Sequence, residues 1–487
     1  MKRYPYLAQS LAVITLLGSL SLLGCMVGPD YKKPELAAPQ SWQASTVSQA
    51  GNEQLWWQQF NDPILNHLLK KAVLGNLDLK TAQARIIEAR SLHASATAAL
   101  FPSGDLMAAA NRQGNQIGFP GGSSSIAQQV KQPFNIFKAG FDVSWELDLF
   151  GGHRRSAEAA KAEFEAANVT FDDILISTLA EIAKTYIEIR QYQSQLAIAQ
   201  QIVNTDNKTQ TLTQQRVAVG SNAGIDVIRS EVQLEHDDSQ LAYFKNILAQ
   251  AEFRMDVLLG ENPGLSHTLV KTVAAIPSAD KALILASPAV VMSHRPDIRH
   301  AERMLAAATA QQGVATAKFY PDISLTGFIG LFNTNAGNFL NVSSKSWTMG
   351  GNVLLPLLSY GTLSANLHAA DAKQQAAMTQ YQQAMISAFS DVERSLTAYS
   401  EQEKVWQSLE KSGKANNHVV QIAHERYEAG ISSLLDVLDA QRSLYNMQNQ
   451  VTIAKAQTSI NLISVYKSLG GSWLGTLSPS SALAQPS

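Results

Sequence analysis

Arg216 to Leu234 reads RVAVGSNAGIDVIRSEVQL, and Arg426 to Leu444 reads RYEAGISSLLDVLDAQRSL. At a spacing of 210 (430 minus 220), Gly220 falls on Gly430, Asp226 on Asp436, Val227 on Val437 and Leu234 on Leu444. The register holds upstream, where Gly151 falls on Gly361 and Ile176-Ser177 on Ile386-Ser387. Further upstream the spacing widens to 219 (320 minus 101), pairing Phe101-Pro102 with Tyr320-Pro321. A duplication over most of a chain means one supersecondary unit built twice. The change of spacing places a loop of unequal length between the Pro positions and the Gly positions.

The unit is dominated by long helices. His153 to Val219 contains no Gly or Pro, and as one helix would be about 100 Å long at 1.5 Å per residue. Ile225 to Leu259 and Ile431 to Leu469 are equally free of breakers, while Thr362 to Ala429 is interrupted only at Gly413. Ile386, Phe389, Val392, Leu396 and Tyr399 recur three or four apart and predict a helix seam. Leu179, Ile182, Tyr186 and Ile189 predict the same in the first copy. Each Gly-centred turn, at Gly220 and Gly430, therefore reverses the chain between a long helix and a shorter antiparallel one.

A different period precedes each long helix. Ala139, Phe141, Val143, Trp145 and Leu147 alternate with Gly140, Asp142, Ser144, Glu146 and Asp148. Trp347, Met349, Gly351, Val353 and Leu355 alternate with Thr348, Gly350, Asn352 and Leu354, and partner strands begin at Pro102 and Pro321. Gly114 to Ser125 and Asn333 to Lys345 are the Gly/Ser/Asn-rich connections. Alternation over about ten residues is the signature of an outer-membrane barrel, although a half-buried soluble sheet alternates in the same way. Trp145 and Trp347 near strand ends suit a membrane interface. Two hairpins give four strands, too few to close a barrel, and an open edge is not tolerated in lipid. Either the strands lie outside a membrane, or three chains supply twelve.

Charged residues are only 16% of the chain and the net charge is -2. Without a basic stripe, nucleic acid is not an expected partner. Lys2, Arg3 and the apolar run Leu11 to Leu23 form a signal peptide over 1–24. It ends in Leu22-Leu23-Gly24-Cys25, which resembles the lipobox of bacterial lipoproteins, and Cys25 is the single cysteine. Cys25 is thus the expected lipidation site, with acyl chains each contributing about 0.8 kcal/mol per buried methylene. In lipoproteins of this kind, Met26 rather than Asp after the Cys implies sorting to the outer membrane.

On these residues the chain resembles a TolC-like outer membrane factor of the NodT lipoprotein branch. The similarity runs through Val27-Gly28-Pro29-Asp30-Tyr31-Lys32-Lys33-Pro34, then Trp57, Phe60, Asp62-Pro63 and Leu65, then Asn76-Leu77-Asp78-Leu79. It continues in Trp145-Glu146-Leu147-Asp148-Leu149-Phe150-Gly151, His294-Arg295-Pro296-Asp297-Ile298-Arg299, Leu435-Asp436-Val437-Leu438-Asp439-Ala440-Gln441 and Tyr466 to Trp473. The resemblance implies a mainly α fold with a small β part, a duplicated unit of β-hairpin plus long antiparallel helices. It further implies a homotrimer with a 12-stranded β-barrel and an α-helical periplasmic tunnel. The expected role is the outer membrane channel of a tripartite efflux pump, exporting drugs or other small toxic molecules. Expected partners are a periplasmic adaptor (membrane fusion) protein, an inner-membrane transporter and outer membrane lipid. A type I protein-secretion conduit and a non-pore coiled-coil lipoprotein spacer are the competing readings. The expected segments are a lipidated extension over 25–60, a first repeat over 61–260 and a linker over 261–296. A second repeat over 297–470 and a tail over 471–487 complete the chain.

The resemblance places both Gly turns at the periplasmic entrance. Asp436 and Asp439 lie three apart on one helix face, so threefold symmetry would stack them as carboxylate rings favouring cations. A solvated face is the alternative, with Asp439 paired to Arg442 and Asp226 to Arg229. Leu435 matches a hydrophobic ring of the gate, or else packs in a core. Tyr427 and Asp226 fall on a gate-closing pair in which a phenol donates to a carboxylate. A second family link needs an Arg two residues after the turn Gly, where this chain has Ser432. Catalytic constellations are absent: His424-Glu425 lacks a second His, Gly121-Gly122-Ser123 is followed by no Lys-Ser/Thr, and neither metal nor cofactor is expected.

Overall fold

The computed structural model describes residues 26–34, 39, 41–43, 56–114, 133–219, 224–278 and 287–471. The signal peptide, Cys25, Gly220 and the tail beyond residue 471 lie outside the described residues. The first copy of the unit contains α1 (Pro63–Gly75), α2 (Leu77–Ala98), β1 (Ser103–Gln113), β2 (Phe134–Leu147), α3 (Gly152–Ala218) and α4 (Gly224–Leu259). Short helices α5 (Leu265–Val270) and α6 (Pro288–His294) lead into the second copy. That copy contains α7 (Pro296–Ala317), β3 (Asp322–Asn333), β4 (Lys345–Leu354), α8 (Tyr360–Glu428) and α9 (Leu434–Ser468). The duplication is visible in length: 22 and 22 residues for α2 and α7, 67 and 69 for α3 and α8, 36 and 35 for α4 and α9. No helix among the described residues is long and apolar enough to cross a membrane.

The chain divides into two compact units. One, comprising 1–34, 87–166 and 301–380, holds an antiparallel sheet in the order β1-β2-β3-β4. Strand registers align Leu106, Phe141, Ile329 and Trp347 in a single row across all four strands. All four of these side chains are exposed. The next position along carries Asp105, Asp142, Phe328 and Thr348. Here the pleat turns to the other face, and Lys138 Nζ lies 4.1 Å from the Phe328 ring centroid. The period-two reading of the hairpins therefore holds. Among the described residues, β1 and β4 each leave one ladder edge unpaired.

The other unit, 35–86, 167–300 and 381–487, is helical. Its core follows the expected seam in α3, where Leu179, Ile182, Tyr186 and Ile189 are all buried. In α8 the buried stripe runs Tyr381, Met385, Ala388, Val392 and Leu396, whereas Ile386 is 65% exposed. This corrects the expected seam: Ile386 lies about 100° around the helix from Met385, off the face that the stripe defines. Gly413 does not break α8, which continues through it to Glu428.

The motifs near the start of each repeat turn out to be joints. Asp62 caps α1, accepting from the N–H groups of Ile64 and Leu65 at 2.8 and 3.0 Å, and Pro63 fits the first helical position. Its other oxygen accepts from the Tyr186 hydroxyl at 2.7 Å, which in turn accepts from Arg190 Nε at 3.0 Å. Arg190, fully buried, also donates to Gln193 Oε1 and to the carbonyl of Thr272. Burial, then Asp62, pushes the Tyr186 hydroxyl up, keeping it a donor. Arg295 repeats the device, donating to Asp297 and to the carbonyls of Ser468 and Ala388.

Candidate functional site

The second Gly turn is fully described. The α8 helix ends at Glu428 and the chain turns at Gly430, whose φ of 72° favours a residue without a Cβ. The N–H groups of Ile431 and Ser432 return to the Arg426 carbonyl at 2.9 and 3.3 Å. Ser433 then caps α9 in a capping box: its Oγ accepts from the Asp436 N–H, and its own N–H donates to Asp436 Oδ2 at 2.9 Å. Beneath this turn Tyr427, Leu434 and Val437 form a small buried cluster, joined by Ala423 and Leu438. Leu434 is thus the core residue, while Leu435 is 45% exposed.

The acidic residues of the tip make local bonds. Asp436 serves the capping box, Asp439 pairs with Arg442 at 3.3 Å, and Asp226 pairs with Arg229 at 3.8 Å. Both ion pairs of the solvated-face alternative are therefore formed, and such exposed helical pairs contribute little stability. Tyr427 and Asp226 are not brought into a hydrogen bond. The Tyr427 ring instead lies under the Arg216 guanidinium at 4.4 Å, and the carboxylate of Asp226 remains with its neighbour one turn on. A cation over a phenol face contributes about 0.5–1 kcal/mol when exposed.

The segment following Cys25 is held by the first unit. Val27 N–H donates to the Phe150 carbonyl at 3.1 Å, and Met26 lies against Gly151, whose φ is 81°. Arg155, fully buried, binds Asp30 Oδ1 at 2.7 Å and the carbonyls of Val27 and Gly28. Tyr31 donates to Glu302 Oε1 at 3.0 Å, and Lys33 reaches Glu302 Oε2 at 3.2 Å. Burial raises the Glu302 carboxyl, but Arg303, Tyr31 and Lys33 outweigh it and hold the group below its ordinary range. Val27, Gly28, Asp30, Tyr31 and Lys33 of the opening motif thus each have a partner in the first unit.

Sequence reasoning missed one cluster. Asp206 of α3 and Asp237 of α4 are both buried and lie against each other. The available signal was placement: Ala199, Val203, Asp206, Thr209 and Thr213 form one buried stripe of α3, and an Asp in such a stripe is out of keeping with its surroundings.

Long paired helices, each pair preceded by a β-hairpin whose exposed face is apolar, define the class of outer membrane channel proteins. The model described as "Outer membrane efflux protein" matches residues 68–261 and 289–471, and the chain belongs to that family, in its TolC-like, NodT branch. Nodulation protein T of Rhizobium leguminosarum bv. trifolii is 30% identical over 449 residues, covering 90% of this chain and 92% of that protein. The probable efflux pump outer membrane protein TtgC of Pseudomonas putida is 28% identical over 458 residues, covering 92% and 93%. The solved outer-membrane channel OprN is 31% identical, with a TM-score of 0.85 over 92% of this chain and 100% of that one.

Proposed function

We propose that this outer membrane efflux protein works as a homotrimeric channel, docked through a periplasmic adaptor protein onto an inner-membrane transporter. The observation that carries the reading is the four-stranded sheet with an exposed apolar row and, among the described residues, both edges unpaired. Such a sheet is stable in lipid only if other chains complete its ladder, and three copies supply twelve strands. Relatives are named for efflux of antibiotics, toluene, pyoverdine and cations, which supports small exported molecules as the cargo class. Lipidation at Cys25 would give a second hold on the outer membrane, at the point where Arg155 and Glu302 fix the following residues.

The turns at Gly220 and Gly430 form the periplasmic entrance. Leu435, exposed beside the Tyr427–Leu434–Val437 cluster, serves as a hydrophobic constriction, with Asp436 and Asp439 as carboxylate rings that favour cations. Asp226 and Tyr427 are closing residues in the assembled channel, acting through Arg229 and Arg216. The test uses full-length protein purified in detergent. Light scattering should give three chains per particle, and planar bilayers should show a cation-preferring conductance. Asp436→Ala with Asp439→Ala should remove that preference while the trimer persists. A monomeric particle without conductance overturns the channel reading, whereas unchanged selectivity in the double variant overturns only the gate assignment.

A further inference from the structure

Three helices of the second unit meet around a cavity of about 240 Å³, walled by Asp206 of α3, His236 and Asp237 of α4, and Gln441, Tyr445 and Asn446 of α9. Asp206 and Asp237 are each 4% exposed. Their carboxyls are in hydrogen-bonding contact with one another, and no basic group offsets the burial of Asp206. Gln233 donates to Asp237 Oδ2 at 2.7 Å, but among the described residues Asp206 Oδ2 accepts from no donor. A second acceptor in the same wall is also unsatisfied. Gln441, 9% exposed, uses its Nε2 on His424 Nε2 at 3.0 Å and leaves Oε1 without a partner. Arg442 also lines the cavity, yet its guanidinium is engaged by Asp439 and stands 66% exposed.

Buried acceptors without donors are rare and costly, and here the two residues that carry them line one cavity together with a second carboxylate. We propose that Asp206, Asp237 and Gln441 form a binding site for one small, hard divalent cation of the Ca²⁺ or Mn²⁺ class, joining α9 to α3 and α4. Two carboxylates cancel the charge of such an ion, so the filled site is neutral where charge is expensive. Among the described residues no three His, Cys, Asp or Glu side chains cluster as metal ligands. The set is therefore carboxylate and amide oxygen with room for water, which suits hard cations rather than thiolate- or imidazole-seeking metals. The site does not depend on the gate assignment. If that assignment also holds, the ion fastens the helix that carries Leu435, Asp436 and Asp439.

Mn²⁺ titrated into detergent-solubilised full-length protein at pH 8.5, followed by loss of the free-ion EPR signal, should show one ion per chain, displaced by Ca²⁺. Asp206→Asn with Asp237→Asn should weaken binding by about 100-fold, and Gln441→Ala by about tenfold. Asp436→Asn with Asp439→Asn should leave it unchanged within about twofold. Equal Mn²⁺ uptake by wild type and the Asp206/Asp237 variant overturns the site, as does binding lost only in the Asp436/Asp439 variant. Should the first variant fail to assemble, Gln441→Ala decides: Mn²⁺ affinity unchanged in that variant overturns the proposal.

Discussion

The two long helices, α3 and α8, are copies of one sequence unit with different surroundings. Ile182 and Val392, at matched positions, are both fully buried, as are Tyr186 and Leu396. Ile176 and Ile386 are also matched and chemically identical, but one is 7% exposed and the other 65%. Ile176 is covered by the backbone of Gly471, just past α9, and among the described residues Ile386 receives no comparable cover. Arg190, with its web of buried acceptors, is matched by Ser400, which bonds only to the Thr397 carbonyl one turn back. Duplication therefore reproduces a backbone unit and its central seam. Burial at the flanks belongs to whatever packs there, and the second copy leaves its flank for the proposed neighbouring chains.

The largest effect should separate the two copies most sharply. Arg190→Ala leaves the Tyr186 hydroxyl, Gln193 Oε1 and the Thr272 carbonyl without their donor, and should cost about 3–5 kcal/mol, read by denaturant unfolding. Ser400→Ala should cost less than about 0.5 kcal/mol. Comparable losses in both would dissolve the asymmetry. Next comes the isoleucine pair. Ile176→Ala should destabilise the folded chain by about 2–4 kcal/mol, whereas Ile386→Lys should leave the chain folded and reduce trimer yield on size exclusion. A fully trimeric Ile386→Lys protein would show that this face is solvated in the assembly.

A third comparison turns on protons. Asp206 is matched in the second copy by Asn416. Burial, then the facing Asp237, lifts the Asp206 carboxyl from 3.8 to about 8. A folded-state value above the unfolded one means the associated stability is fully present below about 3.8 and is lost as pH rises through about 8. In chelator, hydrogen exchange around residues 206 and 237 should therefore quicken beyond the intrinsic rate as pH rises from about 5 to about 8, and level off above that. Asp206→Asn should abolish that increment. The smallest effect belongs to Tyr427→Phe: the hydroxyl makes no bond to Asp226 while the ring keeps Arg216, so unfolding should shift by less than about 0.5 kcal/mol. A loss above about 1 kcal/mol would restore the phenol–carboxylate link.

At the tip, legibility was uneven for a physical reason. Gly430 was readable from turn chemistry, which is local, whereas the Ser433–Asp436 box emerged only from the structure. Which of Leu434 and Leu435 enters the core depends on the angle at which α9 leaves the turn, and adjacent residues differ by about 100°. The same ambiguity put Ile386 in the expected seam. The Asp226–Tyr427 link required two helices from different repeats to meet at one height, a relation that neither helix encodes alone.

Periodicity, breakers and the internal repeat by themselves determined the duplicated hairpin-and-helix unit, because helix and strand periods are short-range properties written into every few residues. The family motifs were equally readable. Only the tertiary structure decided what those motifs do: Tyr31, Asp62 and Arg295 turn out to be joints whose partners lie far along the chain. It alone brought Asp206 to Asp237, since two acids separated by a turn can share a cavity only after two helices have packed and excluded the water that would otherwise keep them apart.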